Sequence, residues 1–211
     1  MANISTYAQL QTEIANWLDR TDLTSEIPTF IELAEASLNR TIRAPDMITK
    51  NDSFSIAGQY TTLPSDTLEI IRIVVDLQPV IVLEYLSPED LSELRVTMTG
   101  TGKPYYFTLI GGSSNQLEVL RSPDQTYTSS IIYYTRIPAL TDSATTNWLL
   151  TNNPDIYLFG ALVEAEPYLK NDERMPLWTN RLNQALTTLR LQGERELHSG
   201  SSISMRSRTL G

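Results

Sequence analysis

The chain contains no cysteine and a single histidine, and it has neither a long apolar run nor a cluster of basic residues. Each absence removes a class of function. Without cysteine there is no disulfide framework and no thiolate metal site. One histidine, His198, excludes a multi-histidine metal centre and leaves a histidine-based triad without a preorganised partner. No window approaches the roughly 18 consecutive apolar residues of a membrane span. The opening MANISTYAQL lacks a basic segment followed by an apolar one, so no signal peptide is expected. Tight binding to the nucleic-acid backbone needs clustered Lys and Arg, whereas this chain carries a net charge of −9.

Nor does any catalytic constellation stand up. The run Gly100-Thr101-Gly102-Lys103-Pro104 suggests a phosphate loop, but that loop needs glycine five residues before its Gly-Lys pair and Ser or Thr after the lysine. Here those positions are Thr97 and Pro104, so a hairpin loop is the better reading. Glu32 and Glu35 lie three apart on an amphipathic stretch, where acids usually form a solvated face. Glu164 and Glu166 do not share a helical face. No catalytic residue, cofactor or metal ligand is expected, and the chain does not read as an enzyme.

What is present is helix at both ends and strand between. Tyr7, Leu10, Ile14, Trp17 and Leu18 recur at helical spacing, with Thr6 and Gln9 placed as a capping box. Ile27, Phe30, Ile31, Ala34, Leu38 and Ile42 repeat the pattern, with Pro28 in the first turn and Pro45 as a stop. From Asn51 to about Pro138 the period changes to that of strands. Ser53–Ile56 and Tyr60–Leu63 suggest a short hairpin around Gly58. Further strands are expected over 69–77, 80–86, 105–110, 117–120 and 127–136, with a short helix capped by Ser87 between them. Helix returns at Asn153-Pro154, and a longer helix runs from about Glu173 to Glu196, its end weakened by Gly193.

The expected fold is α+β: a helical bundle formed by the N- and C-terminal helices, with an inserted small antiparallel β module and a flexible C-terminal tail. The expected divisions are 1–50 (helical hairpin), 51–147 (β-rich module), 148–196 (C-terminal helices) and 197–211 (tail). Trp17, Trp148 and Trp178 each sit in an apolar stripe and read first as core, with an interface anchor as the alternative.

The residue pattern is also specific in kind. Trp17-Leu18-Asp19-Arg20, Asp22-Leu23, Ile27-Pro28, Phe30-Ile31, Leu33-Ala34-Glu35-Ala36, Leu38-Asn39-Arg40 and Arg43 resemble the opening of the head-to-tail adaptor proteins of tailed bacteriophages. Leu63-Pro64-Ser65-Asp66, Leu86-Ser87-Pro88-Glu89-Asp90-Leu91, Gly102-Lys103-Pro104-Tyr105 and Tyr133-Tyr134 through Leu140 continue the resemblance. Asn147-Trp148-Leu149-Leu150, Asn153-Pro154-Asp155 and Tyr157 through Tyr168 extend it to about residue 190. None of these motifs is catalytic; their weight lies in number and order.

The resemblance implies a non-enzymatic structural protein of the virion, assembled in the host cytoplasm, of the kind found in short-tailed phages. Its implied partners are the portal protein, a tail nozzle protein and further copies of itself in a dodecameric ring. Double-stranded DNA would pass through without specific binding, and no membrane is involved. An acidic wall suits such a path, since like charges repel. Arg20, Asp22, Arg40 and Arg43 are candidate interface residues at the ends of the opening helices, although Arg at a helix C-terminus equally caps the dipole. In the tail, Ile203, Met205 and Leu210 are apolar anchors and Arg206 and Arg208 are local cations, expected to order on a neighbour. The alternative is a carbohydrate- or receptor-binding β module of a tail protein, with Tyr105, Tyr106, Tyr133 and Tyr134 as stacking surfaces.

Overall fold

The computed structural model describes residues 4–111, 115–170 and 173–198, with Leu197 and His198 described by backbone alone. The described chain divides into two compact units. One is helical, built from residues up to Asp46 and from Ile137 onward; the other, Met47–Arg136, contains the strands.

In the helical unit, α1 (Tyr7–Leu18) begins where Thr6 Oγ1 accepts a hydrogen bond from the Gln9 N–H at 3.4 Å. Gln9 Oε1 reaches back to the Ser5 N–H at 2.9 Å, one residue before the cap. Asp19, in the left-handed region at φ 54°, closes the helix. α2 (Ile27–Thr41) buries Ile27, Phe30, Ile31, Ala34 and Leu38, as their spacing dictates. α4 (Trp148–Asn152) is capped by Asn147, which accepts from the Leu150 N–H at 2.8 Å. α5 (Pro154–Leu169) is the central element: α1, α2, α4 and α6 (Met175–His198) all pack on it. Gly160 of α5 lets α2 approach closely, since a Cβ there would lie 3.3 Å from the Ala34 Cβ.

Pro167, a residue type that kinks or ends helices, lies inside α5, which runs on to Leu169. Gly193 does not end α6 either. A Cβ at this position would stand 2.6 Å from Pro45 Cδ, so the glycine is there to admit the proline ring. Gly193→Ala should therefore destabilise the chain by about 1–3 kcal/mol through overpacking, although alanine is worth about 1 kcal/mol more than glycine in a helix interior. A thermal melt checks the sign, and a stabilised variant would show that the ring yields.

The β unit departs most from expectation. It contains two four-stranded sheets rather than one small module inserted in a helical bundle. The first has the order β1 (Ile48–Ile56), β8 (Tyr127–Thr135), β3 (Thr67–Val75), β4 (Ile81–Val82). The second has the order β2 (Tyr60–Thr62), β7 (Gln116–Leu120), β6 (Tyr106–Ile110), β5 (Glu84–Tyr85). Pairing is antiparallel except between β5 and β6, which run parallel. The expected hairpin at Gly58 does not form. β1 pairs with β8 and β2 with β7, so the chain crosses between sheets at the glycine. A second crossing falls at Leu83, which splits the expected strand over 80–86 into β4 and β5.

The two sheets share one core. Phe54, Ile56, Ile73, Val75, Tyr127, Ile131 and Tyr133 from the first meet Phe107, Leu117 and Val119 from the second. Helix α3 (Pro88–Thr97) covers the outer side of the second sheet, burying Leu91 and holding Arg95 against Glu118. Alternation along each strand reveals which residues face inward, but not which distant strand supplies the other wall. That is why the division of the β unit into two four-stranded sheets goes beyond the sequence reading.

The expected tail over 197–211 starts inside α6, which runs to His198; residues 199–211 lie outside the described residues.

Candidate functional site

The polar interior of the helical unit is organised around Glu35, which is buried and not on a solvated face. Its position explains this: Glu35 stands four residues after Ile31 and three before Leu38, within the apolar stripe of α2. Glu35 Oε1 accepts from the Leu140 N–H at 2.9 Å and from the Tyr157 O–H at 3.0 Å. Asn147 Nδ2 donates to the Tyr157 hydroxyl at 2.6 Å and to the Pro138 carbonyl at 2.7 Å. One turn along α2, Asn39 Oδ1 accepts from the Ile137 N–H at 2.8 Å. Four side chains thereby hold the segment from Ile137 to Asn147 against α2 and α5.

Burial pushes the Glu35 carboxyl above its ordinary 4.5, against the Leu140 and Tyr157 hydrogen bonds, which lower it. Burial, and then the neighbouring Glu35 charge, push the Tyr157 hydroxyl far up as well. Both oxygens are spent on structural hydrogen bonds, so the pair clamps rather than reacts. The folded chain binds the Glu35 proton more tightly than the unfolded chain does. The cost of the buried charge thus grows as pH rises above the ordinary 4.5 and is relieved as pH falls through the folded value toward it. The melting temperature of Glu35→Gln relative to that of the unaltered chain should accordingly be higher near pH 7 than near pH 5. A gap that does not vary with pH would contradict the desolvation of this carboxyl.

Glu166 is the second buried carboxylate among the described residues of the helical unit. It accepts from Trp178 Nε1 at 2.8 Å, which ties α5 to α6. Beside it Trp17, Phe159 and Trp178 form an aromatic cluster, with centroids 5.8 Å apart for Trp17–Phe159, 5.4 Å for Trp17–Trp178 and 6.1 Å for Phe159–Trp178. Trp178 is buried as expected, but Trp17 is 42% exposed and caps the cluster from outside. Core placement of Trp17 is thus corrected. Its ring lies at the rim of the α1 stripe, where the partner helices do not enclose it. Trp148 is half-buried.

Among the described residues no group of three or more His, Asp or Glu side chains converges as a metal site. The Gly102 N–H is taken by the Ser122 carbonyl at 2.9 Å, as suits a structural loop. None of the described helices is long and apolar enough to cross a membrane. The polar side chains described above pack, cap and clamp.

The family model described as SU10 adaptor protein covers residues 5–206. The chain belongs to the SU10 adaptor family, a family of phage head-to-tail adaptors. No curated protein matches it. Membership makes this adaptor a structural component of the virion.

Within this adaptor, the candidate interface residues fall into two groups. Arg20 and Asp22 form an exposed bidentate pair, at 2.7 Å and 2.6 Å, beyond the end of α1. The Arg20 guanidinium holds the Asp22 carboxyl down at about 2. Arg43 Nη1 donates to the Asn39 carbonyl at 3.0 Å and the Ile42 carbonyl at 2.6 Å, closing the C-terminus of α2. Arg40 is exposed in the last turn of the same helix. The second group, Ile203, Met205, Arg206, Arg208 and Leu210, lies outside the described residues.

The four tyrosines of the alternative reading do not share a surface. Tyr133 is buried between the sheets with its hydroxyl on Asp66 Oδ1 at 3.2 Å, while Tyr134 lies on the opposite face of β8. Tyr105 is exposed and Tyr106 half-buried. Sequence reasoning missed Glu35, Tyr157, Asn147 and Glu166 as buried polar anchors. The available signal was an acid recurring at an apolar-stripe position of a helix.

Proposed function

We propose that this chain is a non-enzymatic adaptor that forms a dodecameric ring beneath the portal, carries the tail nozzle on its far side and extends the channel for double-stranded DNA. Assembly takes place in the host cytoplasm, and DNA passes without specific binding. The observation that carries the reading is the family match over nearly the whole chain, from residue 5 to residue 206. A net charge of −9 supports a channel wall that does not hold DNA. It also argues that identical copies repel in dilute solution, so the ring is completed on the portal.

Arg20, Asp22, Arg40 and Arg43 supply a charged rim for portal or neighbour contacts. The segment bearing Ile203, Met205, Arg206, Arg208 and Leu210 adds a second contact, locally basic on an acidic protein. Sedimentation of the purified chain should give a monomer, and mixing with portal should convert it to a portal-bound complex. A chain ending at His198 should bind portal more weakly and with less salt dependence. A stable dodecamer without portal would overturn the assembly order, and unchanged binding of the shortened chain would overturn the role of its last residues.

A further inference from the structure

We infer that the outer face of α6 is the surface by which one copy of this chain grips the next, and that it docks on the outer face of α2 in that neighbour. The inference rests on the ring proposed above and names its lateral contact.

α6 has one main packing partner, α5. Trp178, Leu189 and Gly193 turn toward the interior, while Leu177 and Leu191 remain 51% and 46% exposed. These leucines stand two heptads apart with Gln184 midway, the spacing of a helix-pairing seam. Between them Asn180, Asn183, Gln184, Thr187 and Thr188 line a shallow cleft along the helix. From Leu177 to Gln192 the helix carries no carboxylate, and its only charges are Arg181 and Arg190. A purely solvated face on a chain of net charge −9 would be expected to share that acidity. Arg181 has no ion pair among the described residues, and Arg190 meets Glu194 only at 3.9 Å.

Such a face fits a protein helix that presents a carboxylate beside exposed apolar side chains. Two arginines beside exposed leucines are poorly matched to DNA, which rewards many clustered cations. The second copy supplies the complement on α2, where Glu32, Leu33 and Ala36 are exposed, Leu33 by 47%. Glu32 offers the charge, Leu33 the apolar contact, and Ala36 a small side chain that admits close approach. α2 and α6 both pack on α5 and not appreciably on each other, so their outer faces are different surfaces of one subunit. A contact between two different surfaces is head-to-tail, the kind that builds a ring and not a closed dimer.

The absence of native cysteine makes the test direct. Thr187→Cys and Ala36→Cys alter exposed positions, and unchanged melting temperatures confirm intact folds. Portal-bound assemblies of the full chain carrying both substitutions are oxidised and run on a non-reducing gel. The expected result is a ladder of covalent multimers from the double variant and a single band from each single variant. Covalent dimers from Thr187→Cys alone would overturn the proposal in favour of α6 pairing with itself. A ring visible by electron microscopy without a ladder would overturn this interface and leave the ring standing. No ring from the unaltered chain would overturn both.

Discussion

Replacing Tyr157 with alanine is expected to be the most damaging single change in the helical unit. The side chain is fully buried, and its hydroxyl joins Glu35 to Asn147. Deleting a buried aromatic ring costs about 3–5 kcal/mol. The lost hydroxyl also leaves the buried Glu35 with one fewer donor, adding about 1–3 kcal/mol. Against a total stability of about 5–15 kcal/mol, that is enough to bring the unit close to unfolding. For a chain of this size each kcal/mol lowers the melting temperature by about 2–4 °C, so calorimetry should register a fall of about 8 °C or more. Tyr157→Phe keeps the ring and should show only the hydrogen-bond component. Equal losses in the two variants would show that the hydroxyl, and not the ring, dominates.

The second large effect separates two tryptophans that the sequence treats alike. Trp178→Ala should cost about 3–5 kcal/mol, because it empties a buried site and strips Glu166 of the indole N–H that donates to it. Trp17→Ala should cost only about 1–2 kcal/mol, since much of its ring already faces water and only its edge contacts with Phe159 and Trp178 are lost. Parallel thermal melts of the two variants check the order. A Trp17 variant as damaged as the Trp178 variant would place Trp17 in the core after all.

The contrast shows where a sequence is legible. The stripes of α1, α2 and α5 are local, and so are the caps at Thr6 and Ser87; each is decided within a few residues. The strands were legible as strands for the same reason. Their partnership was not, because β1 finds β8 and β2 finds β7 across most of the β unit. The crossings at Gly58 and Leu83 look like a turn and a continuous strand when only neighbours are considered. Gly193 read as a weak helix end because its reason, Pro45, is distant in sequence. Glu35 read as solvated because composition expects acids outside, and only its hydrogen-bond partners justify placing it inside. Family membership was legible because it rests on the order of many local motifs. The arginines marked for an interface were legible only as helix-end charges, and the structure gives Arg43 a capping role beside any other.

The most direct test of the central claim is electron microscopy of purified portal mixed with the full chain. The account predicts an added ring of density beneath the portal, with the portal's own symmetry of copies around the channel. Portal particles that remain bare at saturating concentrations of the chain would contradict it.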